Sequence, residues 1–209
     1  MRKNEKGIQH LVETHPNRGH KGASTQAVNY KLVLSAAHYS AGKHRDQRRK
    51  GVIATPYINH PIEVAMLLST VGKVENAELL AAALLHDILE DTKTTPKELA
   101  KHFGKRVLSI TQEVTDDKSL PIEERKRLQI KHAPHISREA QQIKLADKIS
   151  NVTGLIHDPP VKWSHKRRME YLDWAEKVVD GIRGCNPALE RLFDQRLKQA
   201  RNKLHPCFP

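Results

Sequence analysis

The sequence predicts an all-α fold of about seven to nine helices. Three observations carry that expectation. Apolar residues recur at three- and four-residue spacings through almost every segment, the period-two alternation of strands is essentially absent, and Gly, Pro and capping residues punctuate the chain at helix-length intervals. Residues 1–26 mix charge, Gly and Pro with little apolar periodicity and read as a basic, disordered tail. Over residues 25–42, Val28, Leu32, Ala36 and Tyr39 share one face, and Gly42 is a stop. The basic stretch KHRDQRRKG follows. A second helix then opens with Asn59 as its cap, Pro61 in the first turns and Glu63 favouring the N-terminal dipole. Its apolar face is Val64, Leu67, Leu68 and Val71.

ENAELLAAALLHDILEDT reads as one central helix, because Leu79, Leu80, Ala83, Leu84, Leu85 and Ile88 cover most of its circumference. Thr95 and Pro96 mark the next start, with a short helix to Phe103, a break at Gly104 and another helix to about Val114. Residues 122–133 form a strongly charged helix, and 137–150 a helix containing LADKISN. After the Asp158-Pro159-Pro160 break, helices at 164–181 and 187–200 close the unit. One domain over 27–200 is expected, with a short C-terminal tail at 201–209.

The 209 residues are long enough for a sizeable core, but aromatics are only 4%, so aliphatic side chains must fill most of it. The net charge of +12 favours an anionic partner without choosing among nucleic acid, phosphorylated metabolite and membrane. Two cysteines, Cys185 and Cys207, exclude a disulfide scaffold and a cysteine-rich zinc site. No apolar run approaches a membrane span, and the basic start has no apolar core of a secretory signal, so a cytoplasmic, reducing location is expected. Glu5 and Glu13 count against an acid-poor targeting peptide.

The chemistry starts from four polar residues that end the most apolar helix. On a continuous helix His86 and Glu90 share one side, and Asp87 and Asp91 an adjacent one. Left unpaired in a core, such groups cost about 2–7 kcal/mol each when neutral and more when charged. A divalent ion compensates imidazole and carboxylate together. His60, between the prolines of PYINHP, and Asp147, among the apolar residues of KLADK, complete a set of two nitrogens and two carboxylates. Manganese, iron or zinc suits such ligation, and magnesium is tolerated where phosphate oxygens join. Singly, each residue has a plainer reading: His60 as a turn residue, His86-Asp87 as a solvated helix end, Glu90 and Asp91 as acids before a loop. Asp147 alone reads as an ion-pair partner of Lys144 or Lys148. The coincidence of three helices each bringing a ligand in an apolar setting argues for a metal site. The basic loop Lys43–Lys50 just ahead of His60 is placed to hold phosphates or to stack on a base, while Lys126, Arg127 and Lys166–Arg168 read as surface charge.

At KHRDQRRK, TPYINHP, AALLHDILEDT, FGKRV, EVTDDKSLP, ERKRLQ and KLADKISN the chain resembles the HD-type metal-dependent phosphohydrolases. More narrowly it is similar to the alarmone hydrolase domain of the RelA/SpoT proteins, in its small stand-alone form. The resemblance covers about residues 27–200 and implies an HD-domain helical bundle. The implied activity is release of pyrophosphate from the 3′ position of guanosine tetra- and pentaphosphate, normally with manganese. By the same resemblance His60, His86, Asp87 and Asp147 hold the ion. Glu90 and Asp91 position and activate the attacking water; Glu90 for orientation and Asp91 for proton transfer is the favoured division, which the sequence does not separate from its reverse. Arg49 packs on guanine, Lys50 lines the basic wall and Asn151 contacts the nucleoside. Ile149-Ser150 departs from the family pattern, which bears on substrate preference rather than on metal binding. The synthetase and regulatory domains of the long family members are not expected here, and no obligatory protein partner is implied.

Two other readings compete. One is an HD phosphohydrolase of another nucleotide, such as a 2′-phosphatase of a nicotinamide dinucleotide phosphate. The other is a basic nucleic-acid-binding helical module, against which stand the absence of aromatic stacking platforms, of zinc-finger spacing and of a helix-turn-helix signature.

Overall fold

The computed structural model describes residues 29–204; the expected tail at 1–26 and residues 205–209, with Cys207, lie outside the described residues. The helical segments are α1 (Tyr30–Lys43), α2 (Asn59–Thr70), α3 (Ala77–Leu84), α4 (Ile88–Asp91), α5 (Pro96–Val114), α6 (Ile122–His132), α7 (Arg138–His157), α8 (His165–Asp180) and α9 (Pro187–Leu204). Eight of them make two turns or more, and α4 is a single turn. Among the described residues there is no sheet, only the isolated antiparallel bridge Arg48–Pro56 in the basic loop. No described helix is long and apolar enough to cross a membrane.

Side chains cap the starts as their types dictate. Asn29, Asn76, Thr95, Ser137 and Ser164 each accept a backbone N–H of the first turn of the helix that follows. Asn59 does not: it is the first helical residue of α2, the cap position is Ile58, and no side chain bonds there. The break at Gly104 is present inside α5, where φ 84° and ψ 168° lie in a region that a residue with a Cβ avoids. α7 runs to His157 rather than 150, and α9 to Leu204, so residues 201–204 of the expected tail are helical.

The helix through HDILED is not continuous. Leu85 turns back with a bond from its N–H to the carbonyl of Ala82, at φ −112° and ψ 5°, and α3 ends there. The carbonyl of Ala83, left open by the break, is taken by His86 Nδ1 at 2.8 Å. Leu85 and Ile88 stay fully buried on either side, so the apolar pattern reads straight through a turn that re-aims His86 and Asp87. The shared-face geometry expected of an unbroken helix therefore does not apply.

α7 is the central helix, packed on α2, α5, α8 and α9, while α3 lies against α1, α2 and α5. Ile143, Leu145, Ala146, Ile149 and Val152 of α7 join Leu79–Leu85 in one aliphatic core. Burial of such side chains, at about 25 cal/mol per Å² of apolar surface, holds the three ligand-bearing segments in register. The basic loop between α1 and α2 is docked on the end of α7: Ile53 N–H donates to Asp158 Oδ1 at 3.3 Å, and Val161 N–H to the carbonyl of Lys50 at 3.1 Å. Gly51 permits this docking, because a Cβ there would lie 2.0 Å from Asp158 Oδ2.

Candidate metal centre and the adjoining hollow

α2 supplies His60, the turn between α3 and α4 supplies His86 and Asp87, and α7 supplies Asp147. His60 Nε2 lies 3.1 Å from Asp147 Oδ1 and 3.7 Å from Asp87 Oδ2. His86 Nε2 lies 3.0 Å from Asp87 Oδ2 and 4.0 Å from Asp147 Oδ1. Both imidazoles are buried. His60, His86 and Asp147 thus form a triad able to hold a divalent ion, one ligand atom from each lying within 4.8 Å of the others.

The neighbouring bonds set the imidazole tautomers. Ser150 Oγ donates to Glu63 Oε2 at 2.6 Å, so toward His60 Nδ1, 2.9 Å away, it can only accept. His86 Nδ1 faces a carbonyl, which also only accepts. In their neutral, ligating form both rings therefore carry their proton on Nδ1 and turn Nε2 inward. His86 Nε2 is buried without a hydrogen-bond partner, although Asp87 is close. That orphaned nitrogen, a neighbouring imidazole and two carboxylates are a donor set that fits a divalent cation.

The charges fit as well. Burial holds the His60 imidazolium down, keeping the ring neutral. Burial also opposes charge on His86, but Asp87 and Asp147 outweigh it and raise the ring to about 9, so in the metal-free protein its Nε2 holds a proton that a divalent ion would displace. For Asp87 and Asp147, burial favours the neutral acid; the histidines for Asp87, and Lys148 with His60 for Asp147, reverse that and keep both ionised. Tyr57 Oη donates to Asp87 Oδ2 at 2.6 Å, and Lys148 Nζ to Asp147 Oδ2 at 2.8 Å.

The acidic pair borders the same hollow, of about 340 Å³. Glu90 accepts the N–H of Asp116 at 3.3 Å, with Arg125 and Lys118 at 3.7 and 3.8 Å. Burial first, then the charges of Asp116 and Asp87, raise its carboxyl from 4.5 to about 7. Asp91 is ion-paired to Lys118 and accepts from Tyr57 at 3.3 Å. A second hollow of about 420 Å³ shares Arg49, Lys50, Tyr57 and Asn151 with the first. Arg49 donates to Asn151 Oδ1 at 3.1 Å, and Asn151 Nδ2 donates to Asp147 Oδ1 at 2.6 Å, so Asn151 ties the basic wall to the metal side.

Residues 36–167 match the model of the HD domain. The chain belongs to the HD-domain family. Relatives to this HD-domain chain include the guanosine-3′,5′-bis(diphosphate) 3′-pyrophosphohydrolases MESH1 of Xenopus tropicalis, 52% identical over 78% of this chain and 91% of that one, and of Homo sapiens, 49% identical over 80% and 93%. A solved structure of a metazoan orthologue of SpoT, described as hydrolysing ppGpp and acting in starvation responses, aligns at a TM-score of 0.79 with 43% identity. That alignment covers 86% of this chain and 98% of that one. A Listeria monocytogenes crystal structure aligns at 0.57 with 27% identity, over 70% and 99%. The resemblance to the MESH1/SpoT branch is borne out.

In this HD domain every residue expected at the site lines one of the two joined hollows. Three features were not anticipated. Ser150 is not at a substrate edge alone: buried at 1% exposure, it links Glu63 to the ligand His60. Tyr57 orients Asp87; a phenol two residues before the Asn-His pair was the available signal. Trp163, Tyr171 and Trp174 follow one another at 5.3 Å between centroids with tilted rings, an aromatic wall where the sequence reading found no aromatic platform. Of the residues read as surface charge, half-buried Lys126 lies over Trp174, and Arg167, exposed as expected, lies over Trp163.

Proposed function

We propose that this chain is a metal-dependent guanosine-3′,5′-bis(diphosphate) 3′-pyrophosphohydrolase, a cytoplasmic enzyme whose hydrolase domain spans 27–200. It converts guanosine tetra- or pentaphosphate to GDP or GTP plus pyrophosphate. The observation that carries the reading is the convergence of two imidazole Nε2 atoms and two ionised carboxylates beside an arginine-lined hollow. The activity for which the relatives are named supports the same substrate class.

His60, His86, Asp87 and Asp147 would hold the ion, which we take to be manganese. When bound, it supplies Lewis acidity to a water and a phosphoryl oxygen. Glu63 and Ser150 keep His60 in its ligating tautomer, and Tyr57 keeps Asp87 aimed inward. Glu90, with its carboxyl near neutrality, accepts the proton of the attacking water. Asp91 orients instead, because Lys118 and Tyr57 already engage its carboxylate. This division reverses the one favoured from the sequence, which had left both open. Attack on the ribose-linked phosphorus breaks its bond to the 3′ oxygen. Arg49 and Lys50 take the nucleotide's charge and base, and Asn151 holds Arg49 in place.

The test is release of pyrophosphate and GDP from guanosine tetraphosphate with and without manganese, beside an Asp87→Asn sample. Manganese-dependent release that falls by about 100-fold or more in the variant is expected, the scale of losing a group made essential in the transition state. A nicotinamide dinucleotide phosphate, tested in parallel, would win the comparison if the competing nucleotide reading were right. Salt-sensitive nucleic-acid binding without turnover would favour the basic-module reading.

A further inference from the structure

We propose that Lys144 receives the pyrophosphoryl end of the substrate, beside the metal centre. The inference rests on the hydrolase reading above and extends it to a residue that the reading leaves without a role. The described core buries two lysines, Lys144 and Lys148, both on α7. Lys148 is compensated: it bonds Asp147 at 2.8 Å and lies 4.7 Å from the centre of the Trp174 ring. Lys144, only 7% exposed, makes no hydrogen bond and has no carboxylate oxygen within 4.0 Å among the described residues. It nevertheless lines the hollow that His60, His86 and Asp147 share. The side chain is largely buried and its ammonium, held by no protein acceptor, opens only onto that hollow, where an entering anion would compensate it. Burial, with Lys148 adding to it, already pushes its pKa down, while Asp116, Asp147 and Glu90 act from a distance in the opposite sense.

Position identifies which part of the substrate this is. The hollow with Arg48, Trp163 and Tyr171 does not reach Lys144, whereas Arg49, Lys50 and Asn151 border both hollows. A guanosine polyphosphate spanning the two places its nucleoside beyond Arg49 and its 3′-diphosphate on the metal side. There Lys144 is a point charge with three donors for the terminal phosphate oxygens, which are charged in the bound substrate and in the released pyrophosphate alike.

The experiment uses the manganese-loaded protein, with inorganic pyrophosphate and GDP as separate probes, read by calorimetry and by inhibition of turnover. Lys144→Met should weaken pyrophosphate by about 10-fold or more, the scale of one charge-assisted hydrogen bond, and leave GDP within about twofold. Its melting temperature should equal or exceed that of the wild type, because a charge that burial disfavours has gone, and Lys144→Arg should recover part of the affinity. Lys144→Gln reads the same quantities should the Met variant fail to fold. Unchanged pyrophosphate affinity, or equal weakening of both probes, overturns the proposal. Pyrophosphate binding needs no turnover. A wild type that binds it through Lys144 but does not cleave guanosine tetraphosphate sinks the hydrolase reading and supports the anion site.

Discussion

Glu90 is the residue at which stability and chemistry pull in opposite directions. Its carboxyl is raised from 4.5 to about 7, by burial first and by Asp116 and Asp87 next. The folded state therefore keeps a proton that the unfolded chain has released between those values, and stability falls as pH rises through that window. Glu90→Gln keeps the shape and removes the ionisation. In the metal-free protein its stability advantage should grow from pH 4.5 to pH 7 and level off at about 1–3 kcal/mol, read from urea midpoints at each pH. The wild-type kcat/KM should show an acid limb at or below about 7, and the variant should lose both the limb and most of its rate. A limb that survives in Glu90→Gln would assign the base to another group. The ligand types His60, His86, Asp87 and Asp147 were legible in the sequence, because buried imidazoles and carboxylates need compensation whatever the fold. Ser150, Tyr57 and Lys144 were not. A serine, a phenol and an amine read as ordinary helix or loop residues until the packing shows which group each one faces.

Among the elements, the two helix breaks differ in what announces them. Gly104 interrupts α5 at φ 84° and ψ 168°, and glycine is the signal that a reader of the sequence can use. An added Cβ meets nothing within 4 Å, so the cost of Gly104→Ala is torsional rather than steric. That substitution should destabilise the fold by about 1–3 kcal/mol in denaturant titrations. Turnover of the folded fraction should stay at the wild-type value, because Gly104 borders neither hollow. Loss of activity beyond the loss of folded protein would mean that the break aims a site residue. The break at Leu85–Asp87 carries no glycine or proline. Buried Leu85 and Ile88 continue the helical period across it, and the sequence reads as one helix. What ends α3 is tertiary: His86 satisfies the open carbonyl of Ala83 while its other nitrogen faces two carboxylates. A propensity or a period cannot register a preference set by residues on α2 and α7.

At the scale of the molecule, the metal centre is a clamp among helices that the chain separates widely. His60 near the start of α2, His86 and Asp87 after α3, and Asp147 in the middle of α7 join the faces that also form the aliphatic core. An ion held there binds the folded state and has no assembled site in the unfolded one, so it stabilises by mass action. At manganese about 100 times its dissociation constant the gain is about 2.7 kcal/mol. For a domain of this size that shifts the melting temperature by about 5–10 °C. Chelation should lower the melting temperature by that amount, and readdition of manganese should restore it. Asp147→Asn should abolish the shift, because it weakens the ligand on the central helix while leaving the core side chains in place. The same variant compared with the wild type in chelator separates the two contributions. If its metal-free melting temperature already equals that of the wild type, the clamp is the ion and not the carboxylate's bonds to Lys148 and Asn151. A melting temperature indifferent to manganese at every concentration would mean that these helices are held by the core alone and that the four side chains do not form a metal centre.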